Sequence, residues 1–175
     1  MSTLTKTDWS KSHCGLMHCR LAEVPHLMPE IRPMLASLLP HLQYRPIDYI
    51  VDCKVHMLMP GEYPCIPNWH CDFVPRDEDK RVYRDRINDT DMMYLWVSGA
   101  PYTEFKSHQG LVGDTYQWTA FNQRDVHRGT KSEAHQWRCF IRLIPDWFVH
   151  PGTENVGQIR RHSQVYIDDV RNFAW

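Results

Sequence analysis

The sequence predicts a mainly β fold, a sandwich or barrel of short strands preceded by an N-terminal helical segment. Three observations lead there. Between residues 48 and 144 several short runs show the two-residue alternation of strands, turns rich in Pro and Gly separate them, and no helical stretches alternate with them as a parallel α/β sheet would require. With 175 residues, 42 % hydrophobic and 12 % aromatic, the chain suffices for a single domain, 1–175, with a sizeable core. The same aromatics argue against disorder.

Residues 1–25 are polar, lack a sustained period and read as irregular. From His26 to Leu42, the side chains of Leu27, Ile31, Leu35, Leu38 and Leu39 fall on one side of a helix, which Pro29, Pro33 and Pro40 break into short turns. Residues 1–45 thus form a cap, 46–145 the β core and 146–175 a tail that packs back on it. The core opens with DYIVDCKVHMLM, 48–59, where Tyr49, Val51, Cys53, Val55, Met57 and Met59 make an apolar face and Asp52, Lys54 and His56 a polar one. PGEYPCIP, 60–67, is a turn and NWHCDFV, 68–74, returns to strand composition. Residues 76–91 hold five basic and six acidic side chains in sixteen and form a solvated loop or flap. Strands resume at MMYLWV (92–97), TEF (103–105), GDTYQWTAF (113–121) and WRCFIRLI (137–144).

Lys and Arg number 20 against 21 Asp and Glu, a formal charge of -1, so strong non-specific nucleic-acid binding is not expected. Local patches remain at Lys80, Arg81, Arg84 and Arg86, and at Arg160 and Arg161. No stretch approaches the roughly 18 apolar residues of a membrane span, and the opening residues lack the apolar core of a secretory signal. A cytoplasmic location without membrane association is therefore expected, with the six cysteines as free thiols. Cys53 and Cys139 read as small core residues. Trp69, Tyr94, Trp96 and Trp118 read as core in preference to stacking platforms.

The chemistry-bearing residues are His70 and Asp72 in WHCD, His127 in DVHRG, and Arg138 in QWRCFIRL. Two imidazoles and one carboxylate on one face of an octahedron hold non-haem Fe(II) and leave positions open for a chelating cosubstrate and O2. On a strand, residues two apart share a face, so His70 and Asp72 can reach one ion while Cys71 points away. With 11 His and 14 Asp in the chain, one His-x-Asp is expected by chance, so order and spacing carry the argument. His127 follows 55 residues after Asp72, at the end of the 113–121 strand, and Arg138 stands 11 residues further on. A planar guanidinium can hold a buried carboxylate through two parallel hydrogen bonds. Arg142 shares the face of Arg138 and is its rival. If the polar face of the first strand looks inward, Asp52, Lys54 and His56 can touch substrate or cosubstrate, Lys54 and His56 foremost as pocket residues. Cys14 and Cys19, flanked by His13 and His18, form a looser second metal candidate without a zinc-site spacing.

In this order and spacing, the sequence resembles the 2-oxoglutarate- and Fe(II)-dependent dioxygenases from about Asp48 to Leu143. The resemblance implies a double-stranded β-helix, also called a jelly roll and cupin-like. It implies that His70, Asp72 and His127 bind Fe(II) and that Arg138 clamps the distal carboxylate of 2-oxoglutarate. O2 would take part as co-reactant, and hydroxylation of a substrate would release succinate and CO2. Two other readings stay open: a metal-binding cupin-like isomerase, hydrolase or lyase, and a non-catalytic binding protein on an oxygenase-like scaffold. The substrate is equally open among small molecules, nucleobases and protein side chains.

Overall fold

The computed structural model describes residues 7–12, 15–106, 110–112, 117–149 and 158–160. The fold is mainly β, with antiparallel sheets and few helices. The larger sheet contains β1 (Gly15–Arg20), β2 (Tyr49–Leu58), β3 (Met93–Val97), β6 (Thr119–Phe121), β8 (Gln136–Pro145) and β9 (Gln158–Arg160), in the order β6-β3-β8-β2-β1-β9. The smaller holds β4 (Thr103–Phe105), β5 (Gly110–Val112) and β7 (His127–Gly129), in the order β5-β4-β7. Two short helices, α1 (Val24–Leu27) and α2 (Arg32–Leu38), precede β2, and 3-10 turns begin at Pro29 and run over Leu39–His41, so the prolines divide the helical segment as expected.

The ten-residue strands β2 and β8 pair in unbroken register from Tyr49 opposite Pro145 to Leu58 opposite Gln136. Because side chains alternate across a strand, this register sorts the whole pair into two faces. Val51, Cys53, Val55, Cys139, Ile141 and Leu143 join one core with Ile31, Leu35 and Leu38 from the helical segment. On the other face, Ile50, Phe140 and Ile144 pack with Leu95, Val97, Phe105 and Phe121, linking the larger sheet to β4. The polar residues of that second face are therefore interior: Asp52 stands opposite Arg142, Lys54 opposite Phe140, and His56 opposite Arg138. Asp52, His56 and Arg138 are all buried. Cys53 and Cys139 are buried free thiols with their sulfurs 3.9 Å apart.

Several expectations need correction. Residues 15–20 are not irregular but form β1. Its register slips between Leu16 and Cys19, with His18 at φ 50°, so the bulge erases the alternation that would betray a strand. Residues 68–74 are not a strand: His70 alone bridges to His127, and Phe73, just before Pro75, takes φ 53° as the chain turns away. Within 113–121 only Thr119–Phe121 is strand among the described residues, and 113–116 lie outside them. His127 does not end that strand; it begins β7 on the smaller sheet. Leu39, Met57 and Met59, expected on apolar faces, are exposed. In the tail, β9 pairs with β1 at the edge of the larger sheet, whereas Arg161 and the final NFAW lie outside the described residues, as do His13 and Cys14.

Candidate metal centre

The site is built where the stretch 66–70 runs beside β7. His70 and His127 exchange backbone N–H···O bonds of 3.0 and 2.9 Å, and the Gly129 N–H donates to the Ile66 carbonyl at 2.9 Å. A glycine is required there: a Cβ on Gly129 would lie 2.8 Å from the Cys65 sulfur and 2.9 Å from its carbonyl oxygen. The paired backbones set the two imidazoles side by side, their centroids 4.5 Å apart. The bend after Cys71 then returns Asp72 to them, with Oδ2 3.4 Å from His127 Nε2 and Oδ1 3.9 Å from His70 Nε2. One ligand atom from each of the three lies within 4.8 Å of the others.

Backbone carbonyls orient both rings. His70 Nδ1 lies 2.7 Å from the Asn68 carbonyl and His127 Nδ1 2.9 Å from that of Asp125. A carbonyl only accepts, so Nδ1 carries a proton in both rings, which leaves Nε2 as the nitrogen that can ligate at the common centre. Burial also lowers the pKa of His70, favouring the neutral ring a metal needs. Burial alone would raise the pKa of Asp72, but the Arg142 guanidinium beside it holds it well below the usual carboxylate range, so this ligand is ionised.

Arg142 is committed to two carboxylates. Nη1 donates to Asp72 and Nη2 to Asp52 at 2.7 Å, while Asp52 also accepts the His18 N–H at 2.9 Å. The guanidinium stacks 4.8 Å from the Phe73 ring centre. The rival carboxylate clamp is thus already engaged with a site carboxylate. Arg138 differs: it is fully buried, and Nε, Nη1 and Nη2 have no hydrogen-bond partner. His56 opposite is buried too, with both ring nitrogens unpartnered. A cavity of about 200 Å³ opens at the triad, lined among others by Lys54, Cys65, Phe140 and Arg142. Lys54 therefore lines it directly, whereas Arg138 and His56 do not.

Burial, then the charges of Arg138 and Lys54, lower the His56 pKa to about 3. Above about pH 6.5 folded and unfolded states both hold it neutral; below that, only the unfolded state gains the proton until the pH nears 3. The stability present above pH 6.5 is lost as the pH falls, by about 1.4 kcal/mol per unit from this group. Denaturant titrations at pH 7 and pH 5 should therefore show a fall smaller by about 2 kcal/mol in His56→Phe than in the parent.

The remaining candidates separate clearly. Tyr94 and Trp96 are buried, and Trp118 packs against the core with its indole N–H donating to the Met34 carbonyl. Trp69 is not core: it is half-buried, with Lys106 Nζ 4.8 Å and the Arg128 guanidinium 4.4 Å from its ring centre. Cys71 is half-buried, and Cys19 is a buried core thiol. Among the described residues, His70, Asp72 and His127 are the one group of three suited to an ion. What sequence reasoning missed is the role of Asp52, which faces Arg142 and not a pocket ligand; the opposite charges were visible, but the register that pairs them was not. No family model, curated protein or solved structure matches the chain. No helix among the described residues is long and apolar enough to cross a membrane.

Proposed function

We propose that this protein is an Fe(II)- and 2-oxoglutarate-dependent dioxygenase on a double-stranded β-helix. The observation that carries the reading is the convergence of His70, Asp72 and His127, each imidazole presenting Nε2 and the carboxylate held ionised. This donor set suits a six-coordinate divalent metal with open positions, iron above all. The strand order supports the fold. From β2 to β8 the chain passes between the sheets in the succession larger (β2), smaller (66–70), larger (β3), smaller (β4, β5), larger (β6), smaller (β7), larger (β8). That is the wrapping an eight-stranded jelly roll needs, with β1 and β9 added at one edge.

When bound, the iron would supply O2 activation coupled to decarboxylation of 2-oxoglutarate to succinate and CO2, with hydroxylation of the substrate. The chain's own part is to bind and orient. His70, Asp72 and His127 hold the metal, and Arg142 fixes the rotamer of Asp72. Leu95, Phe121 and Phe140 keep the cavity wall dry. Lys54, which lines the cavity, supplies a cation for a cosubstrate carboxylate there, and Arg138 is a buried guanidinium without a hydrogen-bond partner on the same strand face as Arg142. The test is succinate release from 2-oxoglutarate by protein loaded with Fe(II) and exposed to air. Succinate formation with or without a coupled substrate is the expected result; a protein that retains no divalent metal and forms no succinate would overturn the reading.

A further inference from the structure

The charged stretch after the metal centre folds as an arm, residues 74–87. Its two legs are joined by the Tyr83 N–H, which donates to the Pro75 carbonyl at 2.9 Å, by a bridge between Arg76 and Val82, and by the Asp77 N–H on the Arg81 carbonyl at 2.9 Å. Arg76, Lys80, Arg81, Arg84 and Arg86 on it are exposed. The arm starts after Phe73, next to the ligand Asp72, and ends before Asn88. One side chain touches both ends. Gln123 Nε2 donates to the Phe73 carbonyl at 2.9 Å, and Gln123 Oε1 accepts the Asn88 N–H at 2.8 Å. Gln123 is only 4 % exposed, so water competes little for these two bonds.

The position of Gln123 bears on the metal centre from two sides. It lies in the turn 122–125 between β6 and β7, which the Asp125 carboxylate closes by accepting the Asn122 N–H at 2.8 Å. From the same turn the Asp125 carbonyl orients His127, 2.9 Å from Nδ1. Phe73 is the residue whose φ of 53° turns the chain after Asp72, a conformation that a bulky side chain resists and that persists only where surrounding contacts hold it. Gln123 therefore ties the segment that carries one ligand to the segment that orients another. Its neighbours Asn122 and Arg124 reach only the far end of the arm, through the Asp89 carbonyl at 3.2 Å and the Asp89 carboxylate at 2.8 Å.

We propose that Gln123 is a positioning residue for the metal centre, a clasp that fixes Asp72 through the turn at Phe73 and couples the charged arm to metal binding. The proposal rests on the reading of His70, Asp72 and His127 as metal ligands. With the clasp closed, the turn holds the Asp72 carboxylate toward the two imidazoles, and the Phe73 ring stays 4.8 Å from the Arg142 guanidinium. With it open, the arm is released at its base and Asp72 loses its backbone restraint. If the two states differ in metal affinity, linkage requires that bound metal favour the closed arm by the same factor.

The test uses the full chain with Co(II), whose visible absorption reports the number and geometry of its ligands. Gln123→Met, of similar size but without the amide, should weaken Co(II) binding about 10- to 100-fold and change the absorption. Gln123→Asn, an amide too short to reach both ends, should lose nearly as much. Trypsin reads the arm at its exposed Arg and Lys residues, because cleavage needs the segment to open. Co(II) should slow that cleavage about 10-fold in the parent and have little effect in Gln123→Met. Trp118→Phe, which loses the indole bond to the Met34 carbonyl, controls for stability lost elsewhere and should leave Co(II) affinity unchanged. A thermal melt verifies the fold of each variant, and the protection of the parent needs no variant at all. Parent-like affinity and absorption in folded Gln123→Met, or cleavage of the parent that ignores Co(II), would overturn the coupling. The two readings fail separately. Co(II) bound by the triad without regard to Gln123 removes the clasp and keeps the triad. A parent that binds no Co(II) removes the triad as a metal site and with it the positioning role.

Discussion

Asp72→Ala should abolish metal retention and reduce succinate formation by at least about 1,000-fold. Two imidazoles remain after the change, and neither carries the negative charge that offsets a divalent cation. Asp72 is also one of the two carboxylates on Arg142, so its loss leaves that guanidinium to Asp52 alone. Because the Asp72 side chain is 20 % exposed, water can replace part of the lost contact, and the folding cost should be modest, about 1–3 kcal/mol. The two effects are separable. Elemental analysis of dialysed protein reads the metal, and a denaturant melt reads the fold. Asp72→Asn keeps an acceptor for Arg142 and should recover most of the stability while still failing to hold the ion tightly. Stoichiometric metal in a folded Asp72→Ala protein would remove this residue from the ligand set.

The degree to which this site could be read in advance followed the range of the interactions. The faces of β2 and β8 were legible because alternation is local: Arg138, Phe140 and Arg142 fall on one side and Cys139, Ile141 and Leu143 on the other, as expected. The triad was legible through its order, even though its presumed local structure was not. His70 and Asp72 do not share a strand face; a backbone bridge to His127 and the turn at Phe73 bring the carboxylate round instead. Strand β1 was hidden by its bulge, and β5 and β9 by their shortness. The division of labour between the two arginines could not be read at all. It depends on cross-strand register, which sets Arg142 against Asp52 and Arg138 against His56. A shift of two residues would keep every side chain on its face but set Asp52 opposite Phe140 or Ile144 and not Arg142.

That register underlies the second large effect, expected from Arg142→Leu. Arg142 joins Asp72 to Asp52, whose side chain is only 9 % exposed and also accepts the His18 backbone N–H. Removing the cation strands a buried carboxylate, and losses of about 3–5 kcal/mol are usual when one partner of a buried pair is deleted. Metal affinity should also fall, because nothing then opposes rotation of Asp72 away from the imidazoles. The pH dependence follows from the depressed pKa of Asp72. A carboxylate whose folded value lies below its unfolded one contributes stability above the ordinary carboxylate range and loses it as the pH falls through the folded value. Without Arg142 that folded value rises, so acid unfolding should begin at a higher pH than in the parent. Asp52→Asn combined with Arg142→Leu provides the control, since a neutral amide no longer needs the guanidinium. The double variant should be more stable than Arg142→Leu alone while its metal affinity stays low, because Asp72 is still unrestrained. Equal stability of the single and double variants would mean that Asp52 is not the residue that makes Arg142 indispensable to the fold.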